Sequence, residues 1–161
     1  MIGNRGIWTR GTSALILAIA FGAAGAASAG DVENIKYRQK VMSGIGADMG
    51  AISDILKHGL PFTANIAIHA NKLENAAELI PSAFEAKTAD IDTDAKADIW
   101  MKPDEWKKLT ADFALAADVL EDAADDEDPV AIKAAFKGLG KSCGGCHDAF
   151  RKPKEESYKN R

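Results

Sequence analysis

The chain has 161 residues, 47% of them apolar, with 20 basic against 24 acidic side chains, a formal charge of -4 and two cysteines. An acidic balance works against nucleic-acid binding, which draws its affinity from basic side chains on phosphate, and two cysteines make no disulfide framework. Once an N-terminal leader is set aside, 132 residues remain, enough for a single domain of ordinary size.

That leader is residues 1–29. Arg5 and Arg10 come first, an apolar stretch runs from Ala14 to Ala24, and Ala27, Ser28 and Ala29 form a small-residue cleavage site, the three parts of a secretory signal. The apolar stretch is shorter than the roughly 20 residues a bilayer-spanning helix needs. Export to the periplasm is therefore expected, with no membrane insertion after cleavage. Removing the leader takes away two Arg and no acid, leaving 18 basic against 24 acidic residues and a charge of -6.

Helical periodicity fills the rest. Ile35, Arg38, Met42, Ile45, Met49, Ile52 and Leu56 alternate spacings of three and four, which predicts one long amphipathic helix ending near Gly59 and Pro61. Ile66, Ala70, Leu73, Ala77 and Ile80 mark a second helix from about residue 63 to 80, closed by Pro81. Residues 82–102 carry no regular pattern, and such a stretch in a compact domain needs a purpose. Ile99-Trp100 offers two: Trp100 covers the edge of a bound group, or it plugs one end of the molecule.

A third helix starts at Pro103, carries Trp106, Leu109, Phe113, Ala116 and Leu120, and ends in the acidic run Glu121 to Asp128. The fourth opens with Asp128-Pro129, a cap followed by proline, and carries Ile132, Phe136, Leu139, Cys143, Cys146 and Phe150. Four helices with mostly short connections make the expected fold all-α, an antiparallel four-helix bundle. Residues 153–161, polar and opened by Pro153, are expected to form a loose tail.

The fourth helix also holds the most specific feature. Cys143, Gly144, Gly145, Cys146 and His147 spell C-x-x-C-H, the pentapeptide that attaches haem covalently. Positions i, i+3 and i+4 share a helix face, so two thiols can form thioethers with the two vinyl groups of a porphyrin while the imidazole reaches the iron. A redox dithiol would need a βαβ setting, a zinc site lacks a fourth ligand, and a plain disulfide leaves His147 unexplained. Gly138, Gly140, Gly144 and Gly145 crowd the same helix, where each costs roughly 1 kcal/mol relative to Ala. Close approach of a porphyrin would offset that cost, and the stripe running on to Phe150 favours this over a frayed end. Beyond the haem motif there is no constellation of carboxylate, base and nucleophile, so an enzyme is not expected.

On these residues the mature chain resembles the class II cytochromes c, whose best-known members are the cytochromes c′. The resemblance rests on C-G-G-C-H-D-A-F-R at 143–151, on Lys36-Tyr37-Arg38-Gln39 opening the first helix and on Ile99-Trp100 midway, and it covers residues 31–152. It implies a bundle holding one haem c through Cys143 and Cys146, with His147 as proximal ligand, Arg38, Trp100 and Arg151 beside the haem, and Met42 at the distal position.

In the family's low-spin members a methionine there binds iron and gives an electron carrier. In the high-spin cytochromes c′ the iron is five-coordinate and takes up NO or CO. Ligation by His and Met raises the potential and fills both axial sites, although Met42 also reads as one more flexible core residue. The expectation is the low-spin form, most like the methionine-ligated members: a periplasmic mono-haem carrier of single electrons with His147 and Met42 on iron. The five-coordinate gas binder is the alternative.

Met49 lies about 10 Å further along the helix than Met42, too far to share one iron, and reads as core. His58 reads as a cap at the end of the first helix, and His69 as structural. Lys141, Arg151, Lys152 and Lys154 flank the motif while acids cluster at Glu121 to Asp128. Such a dipole would steer a redox protein bearing an acidic patch, although lysines at a helix end are ordinary. Redox proteins are the expected partners, and the resemblance allows a monomer or a homodimer formed through the first two helices.

Overall fold

Five helices stand among the described residues, 29–89 and 92–160, of the computed structural model. They are α1 (Ala29–His58), α2 (Asn65–Ala83), α3 (Asp98–Met101), α4 (Pro103–Asp125) and α5 (Pro129–Phe150). The expected export signal, apart from Ala29, lies outside the described residues. The four long helices form the bundle, α1 packing on α2, α2 on α4 and α4 on α5. No helix among the described residues is long and apolar enough to cross a membrane.

Local chemistry accounts for the helix ends. Gly59 takes a φ of +62°, a value that suits glycine, and Leu60 N–H donates to Ile55 O at 3.1 Å to close α1. At the start of α5, Asp128 Oδ1 accepts from the N–H groups of Val130 and Ala131 at 2.8 and 3.2 Å. Pro129 follows at the first helical position, where its missing N–H leaves nothing unsatisfied. Pro81 does not close α2 as expected. The helix runs on to Ala83, because proline forfeits only its own N–H while the carbonyls of Ile80 and Pro81 still accept from Phe84 N–H at 3.2 and 3.3 Å.

The predicted stripes meet in one core. Ile52, Ile66, Leu73, Leu120 and Leu139 are wholly buried, each worth about 1.5–3 kcal/mol by area. The segment between α2 and α4 is irregular but packed, with Phe84, Thr88, Thr93, Ala95 and Ile99 buried and the single turn of α3 within it.

The chain after α5 is not loose. Lys96 N–H donates to Phe150 O at 2.9 Å and Lys152 N–H to Asp94 O at 2.7 Å, so Arg151 pairs with Ala95 in one antiparallel bridge. Two 3-10 turns follow, Lys154–Glu156 and Tyr158–Asn160. The Asp94 carboxylate accepts from Ser157 Oγ at 3.1 Å and from Tyr158 N–H at 3.0 Å, and Gln39 Nε2 donates to Tyr158 Oη at 3.0 Å. The polar residues that suggested a tail are a strap, because each of these groups finds a partner far away in sequence.

Candidate haem site

One helical turn brings Cys143, Cys146 and His147 of α5 to a cavity of about 670 Å³. Met42, Ile45 and Met49 of α1 form part of its wall, and Trp106, Leu109 and Phe113 of α4 another. Phe84, Trp106 and Phe150 stack along it, with ring centroids 4.7 and 5.3 Å apart and the second pair edge-on, the tilted contacts aromatic rings prefer. The volume and apolar walls suit a flat, drug-sized or larger cofactor.

Both cysteines are free and half-buried. Burial pushes the Cys143 thiol up, and burial followed by the neighbouring Cys143 pushes Cys146 up to about 11. His147 moves the other way. Partial desolvation, then the Arg151 guanidinium, pull its imidazole below the ordinary histidine range against the opposing pull of Asp148. A neutral imidazole keeps the lone pair that a metal needs.

Arg38 is the unusual residue of the cavity. It is only 3% exposed, its Nη2 donates to Thr88 Oγ1, and its guanidinium lies 4.8 Å from the Phe84 ring centroid and 5.6 Å from that of Trp100. Desolvation pulls its pKa below the ordinary arginine value. Its Nε and Nη1 are buried without a hydrogen-bond partner, a costly arrangement unless an anion supplies what is missing. A haem has two carboxylates at one edge and an apolar body. Two thiols and a neutral imidazole on one helix face, apolar walls opposite and an unsatisfied buried cation are a set into which it fits.

Of the residues singled out from sequence, Arg38, Met42, Cys143, Cys146, His147 and Arg151 all border this cavity. Trp100 does not. Its Nε1 donates to Phe84 O at 2.7 Å and its ring backs the Arg38 guanidinium. Met42 is half-buried and packs against the apolar core. Met49, expected in the core, borders the cavity as well. His69 instead joins α2 to α1 through Asp48 at 2.6 Å, and His58 sits 3.9 Å from Asp54 in the last turn of α1. Among the described residues no three His, Cys, Asp or Glu side chains gather as a bare metal site.

Several residues of the site gave no sequence signal. Thr88 lies in the stretch without periodicity, and Tyr158 and Lys159 come to the cavity only through the strap, which Gln39 of α1 meets there. Trp106 and Leu109 were on a predicted stripe, but a stripe does not tell core from cavity wall. The glycines of α5 have no close protein neighbours. A Cβ at Gly138, Gly140 or Gly144 would meet nothing within 4 Å and one at Gly145 only Leu109 at 4.0 Å, so no other part of the protein needs their smallness. Among them only Gly140 borders the cavity.

Comparison with known proteins agrees with this geometry. A family profile described as Cytochrome C' matches residues 33–151. The chain is similar to a cytochrome c′ of Pararhodospirillum photometricum, 39% identical over 118 residues that cover 73% of this chain and 94% of the relative. Among solved structures it is similar to cytochrome c prime from Shewanella frigidimarina, with a TM-score of 0.71, 31% identity and coverage of 76% of this chain and 97% of that one. A ferrous variant of cytochrome c prime from Alcaligenes xylosoxidans with bound NO gives a TM-score of 0.71 at 29% identity, over 80% of this chain and all of the other.

Proposed function

The chain belongs to the cytochrome c′ family, and from that premise we propose that it is a five-coordinate, high-spin haem protein that takes up NO or CO on an open distal side. It carries one haem c, attached through Cys143 and Cys146. When bound, the haem supplies reversible one-electron chemistry and an axial position for a diatomic gas. His147, held neutral, is the proximal ligand. Arg38 neutralises one haem carboxylate from the cavity floor, and the aromatic wall of Phe84, Trp106 and Phe150 keeps water from the macrocycle.

The observation that carries this reading is kinship with the NO-bound Alcaligenes protein over most of the chain. Geometry adds support, since Met42 already has a packing role against the apolar core. Methionine ligation, the sequence expectation, therefore gives way to its alternative, with Met42 as distal wall. The leader-like residues 1–29 support export to the periplasm, and the working domain is then residues 30–161.

The test is the absorption spectrum of the haem-loaded protein, oxidised and reduced, with and without CO. Broad high-spin bands that shift with CO are expected, and Met42→Ala should leave the CO-free spectrum unchanged. Sharp reduced bands indifferent to CO, lost on replacing Met42, would restore the electron carrier with a thioether on iron.

A further inference from the structure

We propose that residues 152–160 are a clasp for the carboxylate edge of the haem, with Asp94 as the positioning residue that closes it and Lys159 as the charge it delivers. The inference deepens the haem site and rests on the haem alone, not on what fills the sixth position. The family match ends at Arg151, and the clasp begins at the next residue.

Tyr158 and Lys159 border the same cavity as Cys143, Cys146 and His147. They are placed there by bonds that converge on one carboxylate. Asp94 accepts from Ser157 Oγ and Tyr158 N–H and pairs with Arg151 at 3.5 Å, and its side chain is only 12% exposed. Its backbone carbonyl accepts from Lys152 N–H, while Lys152 Nζ donates to Thr93 O at 3.0 Å. Hydrogen bonds to an ionised acceptor are about twice as strong as neutral ones, so Asp94 is the residue on which closure depends.

The clasp lies at the Arg38 end of the cavity, because Gln39, next to Arg38 in α1, holds the Tyr158 phenol. This is the end that offers a haem's two carboxylates cations to pair with, whereas an anion against the apolar wall would go unpaired. Arg151 is engaged by Asp94. Arg38 keeps two nitrogens without partners. Lys159 makes no ion pair among the described residues; its Nζ lies 5.9 Å from the Tyr158 ring centroid. Two cations with spare capacity therefore face two carboxylates, Arg38 from the floor and Lys159 from the clasp.

The experiment is the haem reduction potential of the full haem-loaded chain in four forms: unaltered, Lys159→Gln, Asp94→Ala and the double variant. A positive charge at the haem edge favours the reduced state, so Lys159→Gln should lower the potential of the unaltered protein. In the Asp94→Ala background the same change should produce at most a quarter of that shift, because the open clasp no longer delivers the lysine; the cycle isolates this coupling. Equal shifts in both backgrounds, or in neither, overturn the clasp alone. Absence of a covalent haem spectrum from the unaltered protein overturns the haem site with it. Amide exchange of the unaltered holoprotein gives a check that needs no variant: Tyr158 N–H, held by Asp94, should exchange at least tenfold slower than in an open chain, and free exchange overturns the proposal.

Discussion

A guanidinium at a core position of an apolar stripe is out of place unless something answers its charge. Thr88 Oγ1 answers part of it, and the Phe84 and Trp100 rings supply cation–π attraction. Thr88 is itself 2% exposed, so Thr88→Val would keep its shape while leaving Arg38 Nη2 buried without its acceptor. The expected cost is about 2 kcal/mol of holoprotein stability, read from urea unfolding followed at the haem band. A cost below about 0.5 kcal/mol would mean that Arg38 finds another acceptor. At this scale the sequence was informative where chemistry is written in spacing, as at Cys143, Cys146 and His147. Arg38 could be placed on its stripe, but not explained, because its partners Thr88 and Phe84 lie in a segment without a period. The place of Trp100 was hidden for the same reason, since only the fold shows that it stands behind Arg38.

Among the elements, α5 joins a strong start to a weak middle. Asp128 holds two otherwise orphaned N–H groups, and Asp128→Ala should destabilise the protein by about 1 kcal/mol. Gly138 is exposed, and a Cβ there meets nothing within 4 Å, so Gly138→Ala should stabilise by up to about 1 kcal/mol. Both changes are measured in one series of urea melts, and a loss at Gly138 would show that the residue must be small for a reason outside the chain. Element ends were legible where the cap is local, as at Gly59 and Asp128-Pro129. They were misread at Pro81, where the carbonyls before the turn kept the helix going. They were misread again after Phe150, where the deciding partner of Ser157 is 63 residues away. Periodicity reports only neighbours in the chain, and a strap held by a remote carboxylate carries no periodic mark.

Taken whole, residues 30–161 have a net charge of -6, yet two exposed cations, Arg151 and Lys159, border the cavity. At 0.1 M salt, fields fade over about 10 Å, so a reagent at the haem edge meets this basic rim rather than the acidic remainder. Oxidation of the reduced protein by an anionic reagent such as ferricyanide should therefore slow about threefold or more between 0.01 and 0.5 M salt. Acceleration by salt would mean that the net negative charge governs encounter and that the rim does not steer acidic partners. The bundle itself was legible from four stripes and their short connections, whereas the closure of the cavity was not. Gln39 and Tyr158 meet across 119 positions, and a contact between such distant parts must wait until α1, the segment around Asp94 and α5 are in place. The attachment motif, by contrast, is complete as soon as one turn of α5 exists. On the proposed clasp, biogenesis acquires an arrow: the cofactor is taken on while the tail still hangs free, and the chain is fastened over it afterwards.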